Sequence, residues 1–126
     1  MIRDLAQLLA LASPQLHPRA VAVVGLDGFA LPPGLDVIGL FREADGLTLY
    51  VDGEAAQAAG LPVAFRAAWI TMEVVSALDA VGFTAAFATA LAERGIACNV
   101  VAGARHDHLF VPWEQREAAM GVLGRL

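Results

Sequence analysis

Apolar positions along this chain recur at two spacings, every third or fourth residue in some stretches and every second residue in others, and the predicted elements follow from where one gives way to the other. Ile2, Leu5, Leu8, Leu9 and Ala12 fall three and four apart, which predicts an amphipathic helix over residues 2–12. Pro14 stops it, because the residue before a proline avoids the helical backbone. The Val-rich run 20–26 closes on Asp27 and Gly28 and reads as a buried strand, and 31–34, Leu-Pro-Pro-Gly, reads as a loop. Runs 37–41 and 47–51 are joined by a segment ending in Asp45-Gly46, which predicts a hairpin. Residues 54–59 are Ala-rich, and Gly60 with Pro62 behind it marks the end of a short helix.

The second half begins with alternation: Ile70, Met72 and Val74 on one side of a strand over 68–75, Trp69, Thr71 and Glu73 on the other. Ser76 with Asp79 three residues on has the spacing of an N-terminal cap. A helix is expected over 78–94, with Leu78, Val81, Ala85, Ala88 and Ala92 on one face and Phe83, Phe87 and Leu91 widening it. Strands over 96–102 and 109–113, a turn over 103–108 and a terminal helix over 115–126 complete the pattern. At an offset of 62, Asp45, Leu47 and Leu49 fall on Asp107, Leu109 and Val111, each set followed by a helical stretch. The chain therefore divides into two diverged halves, 1–61 and 62–126. Their element order predicts an α+β fold of ferredoxin-like type, with antiparallel sheets and helices packed on one face.

Composition narrows the chemistry. Hydrophobic residues make up 58% of the chain, and 26 of the 126 residues are Ala, so each core is thin unless layers or subunits pack closely. There is no Lys, which excludes Schiff-base, phosphate-loop and general-base lysines. Eight scattered Arg against a net charge of −5 argue against nucleic acid as a partner. No run reaches the ~18 apolar residues of a membrane span. Asp4 near the N-terminus does not suit a secretory leader, and a single Cys98 forms no internal disulfide, so a reducing cytoplasm is the expected compartment.

The junction from Val75 to Thr84 is the most informative candidate site. A loop leading into a helix offers free backbone N–H groups and the positive end of the helix dipole, both suited to a carboxylate, and Gly82 allows close approach to the backbone. The alternative is that Ser76 only caps the helix and Gly82 only relieves packing. His106 and His108 could chelate a metal from one side of an extended segment, with His17 as a distant third ligand, or could simply close a hairpin whose Asp107 bonds its own backbone. Cys98 lies in an apolar strand, where an isolated thiol is packing, and neither Ser13 nor Ser76 sits in a nucleophile elbow. Asn99, between Cys98 and Val100, is expected to need partners, from a neighbouring loop or from a ligand.

Taken together, the strand Ile70 to Val75, the junction Ser76-x-x-Asp79-x-Val81-Gly82, the helix end Arg94-Gly95 and the strand from Ile96 to Val101 resemble an ACT domain. With Cys98 to Gly103 and His106 to Pro112 added, the chain resembles small stand-alone bacterial proteins built from two tandem ACT-like halves. The resemblance implies a βαββαβ plan in each half. The missing Lys, the two serines and the buried-looking Cys98 lead to the expectation of a binder with no enzymatic activity and no cofactor or metal, a metal or catalytic protein using His106 and His108 being the less favoured reading. The resemblance also implies a regulatory role in which an amino-acid-like effector binds at an interface between ACT-like units. Carried over by position, the effector site comprises Ser76, Leu78, Asp79, Val81, Gly82, Phe83, Asn99 and Val100. A homodimer and a regulated protein on another chain are further implications, a ligand-free assembly module being the alternative. Since the second half ends in a helix, a strand from the first half or from a partner is expected to complete its sheet.

Overall fold

The computed structural model describes residues 1–126. In chain order the elements are α1 (Leu5–Leu11), β1 (Pro14–Asp27), β2 (Val37–Arg42), β3 (Gly46–Asp52), α2 (Gly53–Ala58), β4 (Val63–Met72), α3 (Phe83–Glu93), β5 (Asn99–Ala102), β6 (Asp107–Pro112), a short 3-10 turn (Trp113–Gln115) and α4 (Arg116–Leu123). They form two compact units, one of residues 18–67 and one of residues 1–17 with 68–126. The unit boundaries fall inside β1 and β4, so each of these long strands contributes to both.

In the unit of residues 18–67 the strand order is β2–β3–β1–β4. β1 and β3 pair antiparallel, from Val21 opposite Asp52 to Asp27 opposite Gly46, and β2 pairs antiparallel with β3 as the predicted hairpin. Alternation turns Ala22, Val24, Leu47, Leu49 and Val51 inward, where Ala56 of α2 covers them. Gly46 is required at the start of β3: a Cβ there would lie 1.9 Å from the Leu26 carbonyl oxygen. Asp52 ends β3 and starts α2, accepting the Ala55 N–H at 3.1 Å, while Arg19 holds the same carboxylate at 2.6 Å.

In the other unit the order is β1–β4–β6–β5, with Asn99 opposite Phe110 and Ala102 opposite Asp107 in the antiparallel β5–β6 pair. Leu8 of α1, Ala68, Ile70 and Met72 of β4, Phe83, Phe87 and Leu91 of α3, Leu109 and Val111 of β6, and Leu123 of α4 form its core. Phe83 and Phe87 meet edge to face with ring centres 5.3 Å apart. The strand that completes this sheet comes from the first half, as Pro14–His17 of β1. Number each unit's strands in the order that ends with its borrowed one, and both read second, third, first, fourth. This is the ferredoxin-like arrangement of the ACT fold. The unit of residues 18–67 lacks only the first helix, residues 28–36 being loop in its place.

Several sequence expectations change: β1 starts at Pro14 and not at residue 20, β5 at Asn99 and not at 96, and β6 at Asp107 and not at 109. β4 starts five residues early and ends at Met72, because the Val74 N–H donates to the Met72 carbonyl in a tight turn that takes the chain out of the ladder. The helix expected over 78–94 starts only at Phe83, and its buried face is Phe83, Phe87 and Leu91, while Leu78 and Val81 are 67% and 85% exposed. Ser76 is therefore not a helix cap. Its N–H donates to the Arg105 carbonyl at 3.0 Å and it forms a parallel bridge with Ile2, which holds residues 75–77 extended.

Candidate functional site

The junction between β4 and α3 is tied down at several points. The Ile2 N–H donates to the Val75 carbonyl at 3.0 Å, the Ala77 N–H to the Ile2 carbonyl at 2.9 Å, and Arg3 Nε to Asp79 Oδ1 at 2.8 Å. Asp79 is thus an exposed ion pair with Arg3 and not the second half of a capping box. Gly82 has φ +99°, a left-handed backbone that favours glycine, and it starts α3 without any side-chain cap. The first N–H groups of the helix therefore have no side-chain acceptor. A Cβ on Gly82 would come 3.1 Å from Leu5 Cδ2, so the close neighbour of this glycine is α1 of the same unit.

Under this junction lies a small cavity of about 60 Å³ whose walls include Ser76, Leu78, Phe83, Thr84 and Asp107. It gathers three of the expected effector residues, Ser76, Leu78 and Phe83, at the N-terminus of α3. It does not gather the rest. Asp79 and Val81 are exposed on the outer side of the loop, and β5 reaches the cavity only through Ala102. Val100 packs against the core, so alternation sends Asn99 to the opposite face of the sheet. Asn99 is exposed there, at the start of an edge strand, so its amide does not depend on the loop or ligand partner that the sequence led us to expect.

The residue that sequence reasoning misplaced is Asp107. Expected to bond its own turn, it opens β6, opposite Ala102, and is 7% exposed. No side-chain hydrogen bond or ion pair involves its carboxylate. Burial pushes its pKa up, with the nearby His108 pulling weakly the other way. The missed signal was its register: Asp107 lies two and four residues before Leu109 and Val111, hence on their core-facing side.

The opposite face of the same sheet carries a second polar cluster. His17 stacks on Trp69 with ring centres 3.6 Å apart, His17 Nε2 lies 2.8 Å from Thr71 Oγ1, and Thr71 Oγ1 lies 3.1 Å from His108 Nδ1. Trp69 Nε1 donates to the same His108 nitrogen at 3.1 Å. His106 precedes β6, so strand alternation does not extend to it, and the chelating pair with His108 that the sequence offered as an alternative does not arise from a shared strand face. No cluster of three His, Cys, Asp or Glu side chains has the geometry of a metal site. Cys98 is half-buried and burial raises its thiol pKa to about 11, the character of packing and not of a nucleophile. No helix is long and apolar enough to cross a membrane.

Profiles of the ACT domain match residues 2–68 and 65–125. No curated protein matches the chain. Among solved structures, a protein of unknown function from Vibrio cholerae, described as a possible transport protein, is 44% identical, covering 96% of this chain and 94% of its own, with a TM-score of 0.84. A protein from Agrobacterium tumefaciens shares the fold at 20% identity, with 90% and 87% covered and a TM-score of 0.74. The regulatory subunit of aspartate kinase from Thermus flavus shares it at 16% identity, with 90% and 95% covered and a TM-score of 0.64. The ACT domain is a regulatory, small-ligand-binding module, and this chain belongs to the ACT-domain family, with two tandem ACT-like halves in one small protein.

Proposed function

We propose that this protein is a non-enzymatic regulator of the cytoplasm that binds an amino-acid-like effector at the junction of residues 76–83, where its ACT-like units meet those of a second copy. The cavity at the uncapped N-terminus of α3 is the observation that carries this reading. A carboxylate suits that position, because the helix leaves N–H groups and a partial positive charge there. Ser76, Leu78 and Phe83 belong to the wall of the site, with Asp79, Val81 and Gly82 on its rim. Asn99 and Val100, on edge strand β5, belong to the surface that a second copy covers.

The chain reads as halves 1–61 and 62–126 acting as one folded unit, and as a homodimer whose association state the effector biases by binding one state more tightly. Exposed apolar side chains support an interface: Leu78 and Val81 beside the cavity, and Ile38, Leu40 and Phe41 on edge strand β2. The regulated protein is a separate chain. Calorimetric titration against the twenty proteinogenic amino acids, with light scattering before and after, tests this. Saturable heat with at least one, together with a change in the monomer–dimer balance, is expected. No heat with any of them overturns the effector reading and leaves an assembly module, for which the exposed β2 edge is the surface.

A further inference from the structure

We propose that the helix-side face of β2 and β3, in the unit of residues 18–67, is a docking surface for an amphipathic helix of the regulated chain, with basic residues flanking the apolar stripe of that helix. The inference rests on the reading above that the regulated protein is a separate chain. It adds the surface and the chemistry of the segment that meets it.

The surface exists because this unit lacks its first helix. In the other unit that helix is α3, and the side chains that face it from the second strand, Cys98 and Val100, pack against a core containing Phe83, Phe87 and Leu91. In the unit of residues 18–67 the corresponding row is Leu40 and Arg42, which the register places opposite Leu49 and Leu47. Leu49 is fully buried but its cross-strand partner Leu40 is 46% exposed, so the cover ends between β3 and β2. Residues 28–36 do not supply the missing helix: Pro32 and Pro33 remove backbone donors and hold the residues before them extended, and Gly34 turns the chain at φ +72°.

Leu35 is the residue of this loop that packs against the core, while Phe29 and Leu31 are each 52% exposed and the Arg42 guanidinium lies 5.5 Å over the Phe29 ring. An aromatic ring and an arginine beside apolar side chains, on a loop stiffened by two prolines, make an interface that loses little freedom on binding. Phe41 turns to the other face, opposite Thr48, so pairing along the β2 edge and docking on this face use different surfaces.

Charge selects the occupant. Residues 27–45 carry Asp27, Asp36, Glu43 and Asp45 against Arg42 alone; no ion pair neutralises any of the four acids, and Arg42 is engaged with Phe29. A helix that covers the apolar centre therefore gains from basic residues at its edges. The helices of this chain do not offer them: there is no Lys, and the one Arg within α1 to α4 is Arg116, which is stacked on Trp113. Two copies, each with net charge −5, also repel one another. The helix thus comes from a different, basic segment.

The test uses the full chain and two synthetic peptides of about 18 residues with the same leucine stripe, one flanked by Lys and Arg and the other by Glu. The basic peptide is expected to bind saturably, with amide shift changes centred on residues 28–42, and the acidic peptide about tenfold more weakly. Leu40→Ser and Phe29→Ser, both at exposed positions, are expected to weaken the basic peptide about tenfold at an unchanged melting temperature, whereas Leu11→Ser, exposed on α1, keeps its affinity within about twofold. An acidic peptide that binds as tightly, shift changes centred elsewhere, affinity unchanged in both serine variants, or no binding of either peptide overturns the proposal. Self-association of the wild type that Leu40→Ser abolishes also overturns it, since the occupant would then be a second copy. No amino acid is present in these measurements, so failure of the effector reading leaves their outcome as it stands.

Discussion

Trp69 carries only a donor on its indole nitrogen, so its 3.1 Å bond to His108 Nδ1 fixes that ring nitrogen as an acceptor and leaves the neutral proton on Nε2. The Thr71 hydroxyl then has one consistent role, donating to His108 Nδ1 and accepting from His17 Nε2. A proton on His108 Nδ1 would remove the acceptor of two bonds. Burial lowers the pKa of both histidines; His108 adds to this for His17 and His106 for His108, while Asp107 opposes it in His108 and Glu73 in both. Because both pKa values lie below 6.5 in the folded protein, the unfolded chain binds protons first on acidification. Stability from this source is whole above about pH 6.5 and is lost as pH falls through the folded values. The melting temperature is therefore expected to fall between pH 7.5 and pH 5.5. His108→Asn, which keeps an acceptor near the Nδ1 position, should lessen that fall. Asp107 has the opposite sign, since its raised pKa makes the folded state gain as pH drops, and its charge also raises the His108 pKa, so the comparison is made between wild type and His108→Asn with Asp107 in place. An identical pH slope with and without His108 would remove the network as its source.

At the scale of elements, the start of α3 is decided by backbone conformation and by distant partners more than by the local pattern. Gly82, with its positive φ and Leu5 beside it, sets the first turn. Gly82→Ala is expected to destabilise the protein by about 1–2 kcal/mol through the left-handed backbone alone, read from a urea midpoint with unchanged slope. An unchanged midpoint would mean that the loop relaxes to another conformation. The same residue shows what was legible in the sequence. The β2–β3 hairpin, the α2 stop at Gly60 and the core face of β4 were readable because local pattern and tertiary packing agree there. The cap at Ser76 was misread because Ser-x-x-Asp is only a local signal, and Ile2, Arg3 and Arg105 take its partners from far along the chain. Asp107 was hidden by a boundary error of two residues: a strand started at Leu109 leaves the acid in the turn, whereas β6 carries it into the core-facing row. The His17–Trp69–His108 cluster was out of reach, since nothing in the pattern places residue 17 beside residue 69.

At the scale of the whole molecule, the two ACT-like halves are repeats in sequence but not separable pieces. The unit that holds the candidate site takes α1 and the first residues of β1 from the far end of the chain. Leu8 is fully buried in its core, Leu16 packs against it, and Ile2 is the bridge partner of Ser76 at the cavity wall. Removing residues 1–17 thus opens the core, strips an edge from β4 and frees the loop at residues 75–77 together. Leu8→Ala alone is expected to cost about 2–5 kcal/mol, the range for a buried leucine that leaves a void. A fragment of residues 62–126, although it contains the whole of the second family match, is expected to lack a cooperative thermal transition and to show poorly dispersed amide resonances. Adding a peptide of residues 1–19 should restore dispersion in part, because it supplies Leu8, Leu16 and the missing strand. A fragment that melts cooperatively without the peptide would show that the second half closes its own sheet, and that the strand borrowed from β1 is not needed to hold the site.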